Sequence, residues 1–157
     1  WDNKRIVTLS NGINSRLDEI HAAILIQNLV NFDKKLVKKN NIADIYRKNL
    51  NNYFSFFNEK GNVFNSYHLL VVKVDHRDEL IKYLGKNNIH LGIHYKIPCH
   101  QNGLLTEFKK YDLKNTEYIS KKIVSLPMFP DLKKKELIGI IALLNHFGKI
   151  KLKNVRL

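Results

Sequence analysis

The run Ser66-Tyr67-His68-Leu69-Leu70-Val71-Val72-Lys73-Val74 does most to limit what this chain can become. It is apolar, rich in β-branched residues and of strand length, yet helical patterns flank it on both sides. A strand set among helices must pair with distant strands and be covered by its neighbours. Downstream, Asp75 reads as the cap of a short helix over 77–87, with Leu80, Ile81 and Leu84 turned inward. Residues 89–95 read as a second strand. Residues 120–124 read as the end of another helix, and 125–130 as a short extended segment. From about Lys134, Leu137, Ile140, Ile141, Leu144 and Phe147 form a buried stripe, and Gly148 is expected to end that helix.

Upstream, Leu17, Ile20, Ile24, Ala23, Gln27 and Val30 keep helical spacing, so residues 16–38 are predicted as one long amphipathic helix. Ser15 is its expected cap, Asp18 completes a capping box, and Asn40-Asn41 is the expected bend before a second helical stretch. The expected fold is a small α/β domain of the α+β kind. It has a long N-terminal helix and a small mixed or antiparallel sheet covered by helices.

Charge points towards an anionic partner, since 27 basic residues face 14 acidic ones for a net +13. The bias is compositional, however: 22 Lys against 5 Arg, alongside 19 Asn and 17 Ile, is what AT-rich codons supply. Dispersed lysines without clustered Arg argue against a nucleic-acid-binding module, which stands as the non-enzymatic rival reading. No apolar run nears the ~20 residues of a transmembrane helix. The single Cys99 allows no intrachain disulfide and fits a reducing cytoplasm. The opening Trp1-Asp2-Asn3, with no initiator Met, reads as the edge of a piece of something longer.

Two segments carry candidate chemistry. His90, His94, Cys99 and His100 cluster within eleven residues. On a strand, His90 and His94 would share a face, and a zinc site with Cys99 or His100 is one reading. The spacing matches no common zinc module, so substrate-facing or internally bonded imidazoles are favoured. The turn Asn11-Gly12-Ile13-Asn14-Ser15-Arg16 precedes a helix start, where free amides and the dipole suit a phosphate; a plain turn and cap is the alternative.

Three segments, in order, resemble one family. Gly12-Ile13-Asn14-Ser15-Arg16-Leu17-Asp18-Glu19-Ile20-His21-Ala22-Ala23 resembles the G-x-N-x-R-L/M-D/S-E-x-Q-A-A signature of the PLP-dependent sugar-nucleotide aminotransferases, the DegT/StrS group. Ile93-His94-Tyr95-Lys96-Ile97-Pro98-Cys99-His100 is similar to its H-Y-P-x-P-x-H loop. Ser125-Leu126-Pro127-Met128-Phe129-Pro130-Asp131-Leu132 is similar to its S-L-P-M-x-P-x-L segment. Lys96 replaces a usual Pro, and His21 a usual Gln.

The resemblance implies that residues 1–157 form a single C-terminal domain of a fold-type-I enzyme using pyridoxal 5'-phosphate. The intact enzyme would move an amino group from an amino acid, with glutamate expected, onto a nucleotide-linked keto-sugar. A PLP-dependent sugar dehydratase of the same fold is the close rival. The Schiff-base lysine is expected upstream of Trp1, so no catalytic residue is assigned within the chain and turnover is not expected from it alone. By the same resemblance Asn14 reaches the cofactor phosphate of the neighbouring subunit in a homodimer. His94, Tyr95 and His100 belong to the loop that approaches the substrate. Faces around Asn14 and His94 should then be built for burial, and the chain by itself is expected to self-associate.

Overall fold

The sequence predicts a helix over 16–38 and a second helical stretch beyond a bend at Asn40-Asn41; two helices form, but the break between them comes earlier. The computed structural model describes residues 15–58, 61, 63–103 and 106–154. Helix α1 spans Glu19–Val30 and α2 spans Phe32–Asn49. The break falls at Asn31, whose φ of −115° and ψ of 18° leave the helical region. Asn40 stays helical because its side-chain amide donates to the Leu36 carbonyl and to the Asn65 carbonyl, each at 3.0 Å. Those bonds occupy a group that would otherwise compete for local backbone. The cap of α1 is Asp18, not Ser15, and it makes no side-chain capping bond.

The chain divides into two units, Trp1–Asp33 and Lys34–Leu157. In the first, α1 buries no residue. Ile20, Ile24, Leu25, Ile26 and Leu29 are all exposed, Ile20 at 75%. Their spacing distributes apolar groups around most of the helix, a pattern suited to contact on several sides.

The second unit is built on a three-stranded antiparallel sheet in the order β1-β2-β3: Ser55–Phe56, Leu70–Lys73 and Ile123–Leu126. Register pairs Phe56 with Val72, Val72 with Val124, and Leu70 with Leu126. Only part of the predicted 66–74 strand joins the ladder. Tyr67 turns left-handed at φ 44°, and its amide donates to Asn65 Oδ1 at 2.8 Å, so the chain enters the sheet late. The predicted strand over 89–95 shrinks to one bridge, Gly92 with Ser125. Asn88 and Tyr95, at φ 58° and 57°, bracket that stretch and keep it a loop.

Helix α3, Arg77–Gly85, is capped by His76 and not by Asp75. Its Arg77 is buried, and Nη1 donates 2.7 Å to the Ser120 carbonyl closing α4, Lys114–Ser120. A cation at a helix C-terminus offsets the dipole and satisfies an orphan carbonyl. Helix α5, Lys134–Asn154, runs straight through Gly148. A Cβ there would meet the Asn51 amide group at 2.8 Å, so the glycine serves close approach and not termination. Beside it Asn145 Oδ1 accepts from the Asn51 amide, and Asn145 Nδ2 donates to the Asn49 carbonyl, both at 2.8 Å. Within the core Tyr46, Val72, Leu80, Leu84, Val124, Leu137 and Leu144 are all at or below 1% exposure. Each buried Leu or Val supplies about 1.5–3 kcal/mol of transfer free energy.

Surface carboxylates add a pH dependence. The Lys122 ammonium donates to Asp75 and, at 2.7 Å, to the Tyr118 hydroxyl. That hydrogen bond from Lys122 holds the Asp75 carboxyl below its ordinary range. Hydrogen bonds from Lys151 and His100 do the same for Glu79 and Glu117. Groups depressed in the folded state stabilise it fully above the unfolded carboxylate pKa of about 4, and lose that contribution as pH falls through the folded values. Thermal unfolding should therefore show a plateau above about pH 5 and a declining Tm below about pH 4. Asp75→Asn should lose less on acidification than the parent. A Tm that holds or rises on acidification would contradict this.

Candidate functional site in the loop 90–101

The loop over residues 90–101 hangs from two anchors and presents what lies between them. The first anchor is the bridge to β3: the Ser125 amide donates to the Gly92 carbonyl at 2.8 Å, and the Gly92 amide to the Ser125 carbonyl at 3.3 Å. Directly above it, His94 Nδ1 lies 2.8 Å from Ser125 Oγ. The second anchor is His100, 5% exposed, with Nε2 3.0 Å from Glu117 Oε1 on α4. Buried Pro98 leads into a 3-10 turn, Cys99–Gln101, closed by the Gln101 amide donating to the Pro98 carbonyl at 2.9 Å.

Tyr95 sits between the anchors, 86% exposed and left-handed at φ 57°. A bulky residue in that region costs on the order of 1 kcal/mol. Such outliers persist where the surroundings over-determine them, and they point to function. Lys96 and Ile97 are exposed beside it. The loop thus offers a hydroxyl, an imidazole nitrogen and an ammonium towards solvent, a set suited to sugar hydroxyls and phosphate oxygens.

The sequence-predicted residues fare differently here. His94 and Tyr95 share the exposed part of the loop; His100 is turned inward to Glu117. Asn14 lies outside the described residues. His90 does not join His94 on a strand face. It lines an apolar cleft of about 630 Å³ together with Pro127, Phe129 and Leu143. Among the described residues no three His, Cys, Asp or Glu side chains gather as a metal-binding group. Ser125 and Glu117 are the partners that sequence reasoning missed. Ser125 heads the Ser125-Leu126-Pro127 segment and was legible as a motif member, but not as a neighbour of His94. Nothing in the sequence marked Glu117.

Pyridoxal phosphate needs a lysine, an acid for the ring nitrogen and amides or hydroxyls for the phosphate. Lys73 and Lys134 line clefts, the first with Ser55, Asn115 and Tyr118, the second with Ile45, Asn49, Ile138 and Ile141. Neither cleft contains a carboxylate. Neither of these two clefts therefore pairs a lysine with the acid that the ring nitrogen needs.

Comparison with known proteins gives this loop its setting. Residues 2–145 match the model of the DegT/DnrJ/EryC1/StrS aminotransferase family, and the chain belongs to that family. It is similar to the dTDP-3-amino-3,6-dideoxy-alpha-D-galactopyranose transaminase of Aneurinibacillus thermoaerophilus, at 33% identity over 149 residues, covering 92% of this chain and 40% of that protein. A DegT DnrJ EryC1 StrS aminotransferase from Brucella abortus superposes with a TM-score of 0.80 at 26% identity, over 94% of this chain and 40% of that one. NtdA from Bacillus subtilis, solved with bound cofactor PMP, superposes with a TM-score of 0.80 at 22% identity, over 94% of this chain and 35% of that one, which speaks for the fold. The chain spans 40% of the length of the Aneurinibacillus relative.

Proposed function

We propose that the chain is the C-terminal domain of a PLP-dependent aminotransferase acting on a nucleotide-linked keto-sugar. The observation that carries this is the doubly anchored loop with His94 and a strained, exposed Tyr95 at its tip, in a member of a sugar aminotransferase family. The amino donor is an amino acid, with glutamate proposed. The cofactor lysine is proposed to lie outside this chain, as the family resemblance implies. When bound, the cofactor supplies the electron sink for amino transfer. This chain's part is to bind and orient the sugar nucleotide through His94 and Tyr95, with His100 holding the loop to α4.

The working unit is proposed to be a homodimer, with Asn14 donating to the cofactor phosphate of the other subunit. The uncovered apolar surface of α1 is proposed to pack on the large domain of the intact enzyme. A cytoplasmic setting is proposed on the single exposed Cys99.

The test is PLP-dependent amination of nucleotide keto-sugars by the intact enzyme, with Asn14→Ala as the discriminating variant. Loss of one charge-assisted hydrogen bond should weaken cofactor retention by about 1.5–3 kcal/mol. Mixed with a lysine-dead subunit, the variant should still give one working site per heterodimer. Unchanged cofactor affinity would remove Asn14 from the site.

A further inference from the structure

We infer that Ser125 is a positioning residue that fixes the tautomer of His94, so that the ring presents an Nε2–H donor to an oxygen acceptor of the bound sugar nucleotide. The inference rests on the proposed substrate-facing role of His94 and adds the direction of its hydrogen bond.

Ser125 is 5% exposed, on a strand whose backbone already pairs with β2 and with Gly92. Its hydroxyl has His94 Nδ1 as hydrogen-bond partner, at 2.8 Å. A serine hydroxyl carries one hydrogen, and a buried hydrogen without an acceptor is costly. If His94 Nδ1 donated, the serine hydrogen would be left without an acceptor among the described residues. If the serine donates, Nδ1 accepts and every buried group is satisfied. The neutral ring then carries its proton on Nε2, the nitrogen away from the anchor.

Gly92 completes the device. A Cβ at this position would come within 2.7 Å of His94 Cε1 and 3.2 Å of Nδ1. The Cε1 edge of the ring therefore occupies the space that a side chain at position 92 would fill, and any side chain there must push it off. Since Gly92 also forms the bridge to Ser125, one backbone contact sets both the space open to the ring and the position of its hydrogen-bond donor. An Nε2–H on this exposed side chain matches the phosphate or hydroxyl oxygens of a nucleotide-linked sugar. It offers nothing to a donor-only group such as an ammonium.

Ring-nitrogen NMR of isotope-labelled histidine in the intact enzyme tests this, with the His94 signal assigned by its loss in His94→Gln. The parent should show one Nε2–H form with Nδ1 as acceptor. Ser125→Ala removes a single buried oxygen and should move the Nδ1 resonance to the exchange-averaged position of an exposed imidazole; Ser125→Thr should restore the parent position. Gly92→Ala should release the ring while leaving the serine in place. The KM for the sugar nucleotide should rise severalfold in Ser125→Ala, with the amino-donor half-reaction unchanged. An Nδ1–H form in the parent, or an unmoved resonance in Ser125→Ala, overturns the inference. If the resonances behave as expected but His94→Ala leaves the sugar-nucleotide KM unchanged, the tautomer assignment is upheld and the substrate-facing role of His94 is overturned.

Discussion

Leu144→Ala is expected to lower the stability of the Lys34–Leu157 unit by about 2–5 kcal/mol, the cost of a large-to-small change where neighbours cannot collapse. Leu144 is fully buried on α5, in one cluster with Leu80 and Leu84 of α3 and Val72 and Val124 of the sheet. Those elements come from distant parts of the sequence, so the cavity would open where they meet. At about 2–4 °C per kcal/mol in a chain of this size, the Tm should fall by roughly 10 °C. Ile138, six residues earlier on the same helix, is 53% exposed and is the control. Its change to Ala should stay within about 0.5 kcal/mol. Equal losses at the two positions would contradict the placement of α5.

His94→Ala in the intact enzyme is expected to reduce kcat/KM for the nucleotide-linked sugar by about tenfold to a hundredfold. That range corresponds to losing one hydrogen bond to a charged group, about 1.5–3 kcal/mol. The fold should hold, because His94 is exposed and its backbone lies outside the three-stranded ladder. Tyr95→Phe removes only a hydroxyl from an exposed ring and should act in the same direction, less strongly. Cofactor absorbance should not change in either variant. Had His94 been a structural zinc ligand, the same substitution would lower the melting temperature, and a chelator would mimic it.

How much of this the sequence disclosed depends on the reach of each signal. The stripe of Leu137, Ile140, Ile141, Leu144 and Phe147 is local and periodic, and all five side chains are buried as that period requires. The end of the same helix was misread. Gly148 carries the local mark of a terminator, while the reason for it is non-local, namely Asn51 and Tyr53 filling the space that a Cβ would need. The 89–95 segment has strand composition, yet strand pairing is decided elsewhere. Left-handed Asn88 and Tyr95 confine it to one bridge. In α1 the apolar spacing was legible, but spacing alone says nothing about what covers it.

At the site, the motif residues His94 and Tyr95 were visible because type and spacing are sequence properties. The partners Ser125 and Glu117 were not, since they lie 31 and 17 residues away from the histidines they bond. His100 shows the limit best. The motif made it a substrate-facing candidate, whereas its ring is buried against Glu117, an arrangement that suits an anchor of the loop.

The most direct measurement follows the two half-reactions of the intact enzyme separately, in single turnover, for the parent and for His94→Ala. The account predicts that transfer of the amino group to the nucleotide-linked keto-sugar slows by tenfold or more, while the half-reaction with the amino-acid donor stays within about twofold, since one lost hydrogen bond is worth about 1.5–3 kcal/mol only where that bond is made. Equal slowing of both half-reactions, or about one zinc per chain in the purified enzyme, would contradict it.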